Sequence, residues 1–191
     1  KLKQSLESGM TTKDLAEIAK NELKGTGGIP TFLGQYGFPD VLCVSVNEEV
    51  VHGIPSDRVI KDGDIVSMDF GVTYEGMITD SAVSAIVGKI TDSKNARLVR
   101  DTEAALMAGI MAAHGGCHVG DIGNAVEKSL SKKYGIVRDL VGHGVGHELH
   151  EDPNIPNQGR AGTGPVLQSG MTIAIEPMIT LGTYEVFTDM D

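Results

Sequence analysis

The sequence has few of the features that mark secreted, membrane-spanning or nucleic-acid-binding proteins. It contains only two cysteines, Cys43 and Cys117, without C-x-x-C spacing, so we expect no disulfide framework and a reducing cytoplasm. Its apolar runs are all shorter than the ~18 residues typical of a membrane-spanning helix. Basic residues number 16 against 26 acidic ones, and this excess of negative charge argues against nucleic acid as a partner.

The rest of the composition is that of an ordinary globular domain with many turns. Hydrophobic residues make up 40% of the chain, and 25 glycines predict tight turns and close backbone approaches. A chain of this length suits one domain that buries about 70% of its unfolded surface. We therefore predict a single soluble domain over residues 1–191.

The order of the local patterns predicts an α+β protein with antiparallel strands and helices on one side. Helices are predicted at residues 1–8, from the capping box of Thr11 and Asp14 through Leu23, over 92–113 and over 119–135. Strands are predicted in the segments VLCVSV, EVVHGIP, DGDIVSMDFGV, MITDSAVSAIV, IVRDLV, SGMTIAIEPMI and TYEVFTD.

Two aspartates occupy positions in the predicted hairpin, although aspartate is depleted in strands. If residues 73–76 form a four-residue loop, Asp69 lies directly opposite Asp80, where like charges are destabilising. A different register, a protonated carboxyl group or a bound cation would each remove the conflict. The ordinary alternative is a pair of aspartates on a solvent-exposed face.

A second segment repeats the plan of the hairpin's first strand. Gly63 opens one segment and Gly170 the other, alternating apolar residues follow, and Asp69 and Glu176 each lie six residues after the glycine. If this is an internal duplication, the two halves pack about a pseudo-twofold axis and the carboxylates meet near it. Two unrelated strands could also share so short a pattern.

Asp69, Asp80, Glu176 and a histidine from the segment GHGVGHELHE form a candidate metal-binding set. An unpaired charge buried in an apolar strand would cost several kcal/mol. Three carboxylates with one imidazole suit Mn, Fe, Co or Zn in a hydrolytic centre better than a structural zinc site. His143 and His150 are seven residues apart, which separates this pattern from the helical H-E-x-x-H motif.

The segments SVNEEVVHGIP, DGDIVSMDFGVTYEGMITDSA, GHGVGHELHEDPNIPN and IAIEPM together resemble the methionine aminopeptidases, which are peptidases of the pita-bread fold. The resemblance covers nearly the whole chain. It implies an antiparallel sheet in two pseudo-twofold-related halves with helices on the outer face. The short connection between His150 and Glu176 is similar to that of the type I enzymes of bacteria and organelles.

The resemblance implies a role for each member of the candidate set. Asp69 resembles the bidentate ligand of one metal and Asp80 the ligand that bridges two metals. His143 matches the single imidazole ligand, and Glu176 matches a ligand that also shuttles a proton. The implied cofactors are divalent metal ions, up to two per chain, with Co, Mn, Fe and Zn as candidates.

The resemblance also implies residues that contact the substrate. His52 resembles the histidine that contacts the substrate and the leaving amine, and His150 the one that binds the scissile carbonyl oxygen. Gln35 stands where the family has an aromatic residue. The positions that align with the methionine side-chain pocket are Phe32, Gln35, Phe38, Cys43 and Leu149.

The implied function is removal of the initiator methionine from nascent proteins and peptides by a cytoplasmic monomer. Its partners would be N-termini that begin with methionine, with ribosome association as an option and without nucleic acid or membrane. The alternatives are a proline-specific peptidase of the same fold, because the GHGVGxxxHE pattern alone fits it, and a non-catalytic pita-bread binding protein.

The family also has a fifth metal ligand, a glutamate that follows the position where this sequence ends. From the resemblance we expect the chain to lack an N-terminal helix and the C-terminal strand or strands of the family. Without that glutamate, the resemblance implies a weakened two-metal site or a site for one metal.

Overall fold

The computed structural model describes residues 1–189, which fold as two compact units. Unit 1 comprises residues 1–99 and 146–149, and unit 2 comprises residues 100–145 and the chain from His150 onward. The elements, in chain order, are α1 (Leu2–Ser5), α2 (Thr12–Leu23), β1 (Ile29–Pro30), β2 (Cys43–Val46), β3 (Ile65–Tyr74), β4 (Met77–Ile86), α3 (Ser93–Ala112), α4 (Val119–Ser129), β5 (Gly135–Ile136), β6 (Gly142–Gly144), β7 (Glu151–Ile155), β8 (Ile173–Ala174) and β9 (Ile179–Thr180).

The helix α2 begins where its capping box predicts. The backbone N–H of Asp14 donates to Thr11 Oγ1 at 3.1 Å, and the backbone N–H of Thr11 donates to Asp14 Oδ2 at 2.7 Å. This reciprocal pair satisfies N–H groups that have no partner within the helix. One face of the helix, with Leu15, Ala16 and Ala19, is buried in the core of unit 1.

The sheet of unit 1 is antiparallel and centred on β3. Strands β1 and β2 pair with one edge of β3, and β4 pairs with the other edge along its whole length. Because side chains alternate between the two faces of a strand, Val44, Val66 and Met68 point to the face that packs with α2. The opposite face carries Asp69, with Cys43 directly across from it on β2.

The hairpin of β3 and β4 has a two-residue turn, so the predicted four-residue loop is wrong. Glu75 and Gly76 both have positive φ, 49° and 80°, as a type I′ turn requires, and this turn matches the twist of the paired strands. Tyr74 therefore pairs with Met77, Asp69 with Ala82, and Gly71 with Asp80. The predicted direct opposition of the two aspartates is wrong by two residues.

Unit 2 contains two small antiparallel sheets, one of β5 with β9 and one of β7, β6 and β8. A Cβ on Gly142 would overlap the backbone oxygen of Ala174, and one on Gly144 would overlap the backbone oxygen of Asp152. These glycines therefore serve the close approach of neighbouring backbone segments. The core of the unit includes Ile122 of α4 and Ile155 of β7.

Several predicted boundaries differ from the structure. Within residues 1–189, the segments 49–55 and 183–189 contain no strand, and α4 ends at Ser129 instead of Gly135. Ser129 Oγ donates to the carbonyl oxygen of Val126 at 2.7 Å, a local bond that competes with continuation of the helix. No helix in the described part of the chain has the length and apolar character to cross a membrane.

Candidate functional site

Asp69 and Asp80 lie on the same face of the unit 1 sheet as diagonal neighbours. Asp69 is opposite Ala82 and Asp80 is opposite Gly71, so the two aspartates are two positions apart across adjacent strands. Diagonal neighbours have Cα atoms about 7–8 Å apart, with the Cβ atoms somewhat closer. Both residues are partly buried. At this separation the two carboxylates can converge on a shared cation.

Cys43 adjoins this pair from the neighbouring strand. It pairs directly with Asp69 across β2 and β3, and its side chain is buried. Burial raises the pKa of the Cys43 thiol well above its usual range, and the negative charges of Asp69 and Asp80 raise it further. The thiol therefore stays protonated at neutral pH and presents a neutral, polarisable surface.

Four of the five predicted pocket residues meet in one apolar cluster of unit 1. Phe32, Cys43 and Leu149 are its buried members, and Phe38 and Ile78 pack against them. A Cβ on Gly71 would lie 2.6 Å from the ring atom Cε1 of Phe32, so glycine at this position leaves room for the phenyl ring beside the aspartates.

Gln35, the fifth predicted pocket residue, lies in the 3₁₀ turn between the two phenylalanines of that cluster. Its N–H donates to the carbonyl oxygen of Phe32 at 3.0 Å, and its carbonyl oxygen accepts from the N–H of Phe38 at 2.9 Å. The backbone of Gln35 therefore fixes the separation of Phe32 and Phe38, whatever its side chain contributes.

His52 is held in an unusual backbone conformation next to β2. Its φ is 60° and its side chain is exposed. The following residue, Gly53, accepts from Val44 N–H at 2.9 Å and donates its own N–H to Ser45 Oγ at 3.0 Å. Non-glycine residues in this region of φ are strained and are concentrated at functional sites.

His143 and Glu176 face each other in unit 2. His143 Nδ1 is 2.8 Å from the carbonyl oxygen of Gly144, and because a carbonyl only accepts, Nδ1 carries the proton. The other ring nitrogen, Nε2, faces Glu176, with 3.3 Å between Nε2 and Oε1. A backbone carbonyl that accepts from one ring nitrogen and fixes the ring in this way is typical of a metal-binding histidine.

His150 lies directly against His143. The two ring centroids are 4.4 Å apart and the ring planes meet at 84°, which is an edge-to-face contact. His150 is exposed and immediately precedes β7. Its ring is thus positioned next to the His143 and Glu176 pair by the start of a strand.

The donor atoms in the two units fit a divalent metal in chemical type. Unit 1 provides carboxylate oxygens, and unit 2 provides a carboxylate oxygen and an imidazole nitrogen that are 3.3 Å apart. Oxygen-rich sets with one nitrogen suit the transition metals of hydrolytic centres. Among residues 1–189, no three His, Cys, Asp or Glu side chains lie close enough together to form one metal-binding group.

Sequence reasoning missed Asn157, whose side-chain N–H₂ donates to the backbone oxygen of Glu176 at 3.0 Å. Asn157 is only 1% exposed. Burial alternates through Pro153, Ile155 and Asn157, so the inward-facing pattern of β7 continues beyond the strand. A polar amide on the buried side of a period-two pattern is the signal that could have identified it.

Comparison with known proteins gives matches along nearly the whole chain. Residues 1–188 match the model of metallopeptidase family M24. A methionine aminopeptidase of Clostridium perfringens is 44% identical over 188 residues, which cover 98% of this chain and 75% of that relative. The crystal structure of methionine aminopeptidase from Rickettsia prowazekii has a TM-score of 0.95 at 38% identity and covers all of this chain and 77% of its own.

A more distant match is confined to the fold. The prolidase of Pyrococcus horikoshii has a TM-score of 0.73 at 21% identity, and the match covers 92% of this chain and 48% of the prolidase chain. The 38% identity to the methionine aminopeptidase structure exceeds the 21% identity to the prolidase by 17 percentage points.

Proposed function

Because the chain belongs to metallopeptidase family M24 and, within it, to the methionine aminopeptidases, we propose that it removes the initiator methionine from nascent proteins and peptides. It has the pita-bread fold of that family, an α+β fold with antiparallel sheets. The observation that carries the proposal is the 44% identity to a methionine aminopeptidase over 98% of the chain.

The proposed cofactor is a divalent metal, as membership of a metallopeptidase family implies. We propose that Asp69, Asp80, His143 and Glu176 hold up to two ions, with Co, Mn, Fe and Zn as candidates. The orientation of the His143 ring towards Glu176 supports this assignment. When bound, such a metal lowers the pKa of water towards about 7 and polarises the scissile carbonyl.

Three side chains have distinct proposed tasks in the hydrolysis. The Glu176 carboxylate takes a proton from the attacking water and passes it to the leaving amine, a role worth about 10²–10⁴-fold in rate. His150 donates a hydrogen bond to the carbonyl oxygen as negative charge develops there. His52 contacts the substrate and the leaving amine.

The apolar cluster of unit 1 is the proposed pocket for the methionine side chain. Phe32, Phe38 and Leu149 supply apolar surface, and the protonated thiol of Cys43 adds a soft contact that suits a thioether. Gln35 contributes the turn that sets the two phenylalanine rings. A neutral pocket of this kind favours methionine over charged first residues.

The proposed cellular setting follows from composition and family. We propose a cytoplasmic, monomeric enzyme whose residues 1–191 belong to one catalytic domain and whose substrates are N-termini that begin with methionine. Association with the ribosome fits such substrates. The net charge of −10 argues against direct binding of nucleic acid.

The proposal is tested by comparing two peptides on the full-length protein supplied with Mn²⁺ or Co²⁺. Methionine release from Met-Ala-Ser is expected to exceed cleavage of an X-Pro peptide by more than tenfold in kcat/KM and to stop on chelation. Preferential cleavage of the X-Pro peptide would assign the chain a proline-specific activity. Absence of metal binding, together with an Asp80→Asn variant that behaves like the parent protein, would favour a non-catalytic binding protein.

A further inference from the structure

Asn157 makes a hydrogen bond to Glu176, the residue proposed to transfer the proton in the hydrolysis. Its Nδ2 donates to the backbone oxygen of Glu176 at 3.0 Å. We propose that Asn157 is a positioning residue that fixes the backbone of Glu176 and thereby aims its carboxylate at His143. This inference rests on the proposed function, because it gives Asn157 a part in the same site.

The backbone at Glu176 needs such a partner because it lies outside regular strand pairing. Residues 175–178 separate β8 from β9, and Pro177 lacks the N–H that a ladder would use. The next carbonyl held in this stretch is that of Met178, which accepts from the N–H of Val137 at 3.0 Å. The amide of Asn157 therefore takes the place of a strand neighbour at Glu176.

The segment around Asn157 is held against α4, so the amide has a fixed origin. A Cβ on Gly123 would lie 2.6 Å from the backbone oxygens of both Pro156 and Gln158, which shows how closely this segment lies on the helix. Asn124 Nδ2 also donates to the carbonyl oxygen of Gly159 at 2.9 Å. Asn157 is thus flanked on both sides by backbone that contacts α4.

Asn157 Oδ1 is buried and accepts no hydrogen bond from any donor in residues 1–189. The amide is therefore not part of a two-sided polar network within the described protein. Its hydrogen bond to Glu176 is the interaction that distinguishes it from an apolar side chain of similar size.

The consequence concerns the contact between Glu176 Oε1 and His143 Nε2, which are 3.3 Å apart. His143 is fixed by its own bond to Gly144, so a shift of the Glu176 backbone changes this separation directly. Displacements of about 1 Å in a catalytic group can lower the rate by about 10²-fold. Loss of groups that orient metal ligands lowers metal affinity or activity by about 10–100-fold.

The test uses Asn157→Leu and Asn157→Asp in the full-length protein. Leucine has a similar size without a donor, and the aspartate carboxylate keeps the shape but cannot donate at neutral pH. The control is Thr180→Val, which removes another side-chain bond to a backbone oxygen, from Thr180 Oγ1 to Thr183 at 2.6 Å. The measurements are Mn²⁺ affinity by calorimetry, kcat and KM for Met-Ala-Ser, and the imidazole ¹⁵N shifts of His143 in the metal-free protein.

Both Asn157 variants are expected to lower Mn²⁺ affinity and kcat by about 10–100-fold, with KM changed less, and to move the His143 shifts. Thr180→Val is expected to stay within twofold of the parent protein in every measurement. Unchanged His143 shifts in both Asn157 variants overturn the inference. A loss of activity that only tracks the unfolded fraction in circular dichroism also overturns it, because the role is then structural.

The readouts separate failure of this inference from failure of the proposed function. If the parent protein releases no methionine, the proposed function fails, and the His143 shifts still decide whether Asn157 positions Glu176. If the parent protein is active and neither Asn157 variant moves the shifts, the inference alone fails.

Discussion

At the scale of single residues, the sheet of unit 1 keeps two carboxylates on one face although their repulsion destabilises it. Asp69 and Asp80 are diagonal neighbours, and Cys43 beside Asp69 is too deeply buried to ionise easily. The repulsion between the two carboxylates lowers the stability of the metal-free protein, and a bound cation would offset it. We therefore expect one substitution to have opposite effects on stability and on metal binding.

Replacing Asp80 by asparagine is expected to stabilise the metal-free protein by less than about 1 kcal/mol, because the like charge of Asp69 is a diagonal neighbour and is not directly opposite. The same change is expected to abolish the rise in melting temperature that Mn²⁺ gives the parent protein. Thermal unfolding with and without Mn²⁺ measures both effects. Asp57→Asn is the matched control, since Asp57 is an exposed aspartate of the same unit. An equal loss of the Mn²⁺ effect in the Asp57→Asn variant would contradict the assignment of Asp80 as a metal ligand.

The Cys43 thiol is expected to resist alkylation by iodoacetamide at pH 7–8 in the folded, metal-free protein. Its raised pKa, which is caused by burial and then by Asp69 and Asp80, keeps the reactive thiolate scarce. In urea the same cysteine should react with the ordinary thiol pKa of about 8.5. Mass spectrometry of the Cys43 peptide against time measures both rates, and equal rates in the two states would refute the prediction.

At the scale of elements, the hairpin turn sets the register of β3 and β4, which decides which residues pair across the two strands. The two-residue turn at Glu75 and Gly76 pairs Asp80 with Gly71, and the absence of a side chain at Gly71 leaves space for Phe32. A turn that is longer by two residues would instead place the aspartates directly opposite each other. The hairpin turn therefore sets the spacing of the candidate ligands.

Glu75→Asn is expected to raise the free energy of unfolding by several tenths of a kcal/mol, because asparagine tolerates the left-handed region better than glutamate. The φ of Glu75 is 49°, and its side chain is exposed. Urea denaturation measures the change. Glu75→Gln removes the same charge but keeps the unfavourable conformation, so an equal gain in this variant would show that charge, and not the turn, is responsible.

The elements that sequence reasoning located well are those whose signals are local. The capping box of Thr11 and Asp14 gave the start of α2 to the residue, and alternation gave both long strands of the hairpin. The turn was missed because glutamate does not indicate positive φ. The end of α4 was missed because Ser129 Oγ donates a hydrogen bond back to Val126. The predicted strand at 49–55 is absent because Gly53 contacts β2 through two isolated hydrogen bonds, which do not form a strand ladder.

The candidate site could be predicted from the sequence where a charged residue occurs in an otherwise apolar strand. Asp69 and Glu176 stood out for that reason, whereas the orientation of the His143 ring depends on a carbonyl contact that no sequence pattern reveals. Asn157 was missed because an asparagine between prolines and glycines predicts a turn. Its role becomes visible only from its burial and its bond to Glu176.

At the scale of the whole molecule, three carboxylates make the folded chain sensitive to acid. The pKa of Asp14 is lowered by the backbone N–H and hydroxyl of Thr11, that of Asp101 by Tyr134 and Arg100, and that of Asp121 by the backbone N–H groups of His118 and Gly162. Because these folded-state pKa values lie below the unfolded ones, the three groups stabilise the protein fully only above the ordinary aspartate pKa of about 3.9.

The urea midpoint is therefore expected to fall as the pH is lowered from 5 to 3, since the unfolded chain binds more protons in that range. Asp101→Asn removes one of the groups and should make this fall shallower, although Tyr134 also loses the carboxylate that its hydroxyl donates to at 2.7 Å. Midpoints at several pH values measure the slope. A slope that is identical in the two proteins would contradict the assignment of Asp101.

The central claim is that Asp69, Asp80, His143 and Glu176 hold the divalent metal that supports methionine removal. The most direct test is anomalous diffraction at the manganese edge from crystals of the full-length protein grown with Mn²⁺. The account predicts an anomalous peak coordinated by carboxylate oxygens of these residues and by Nε2 of His143. A peak bound by other side chains, in a protein that releases methionine, would contradict it.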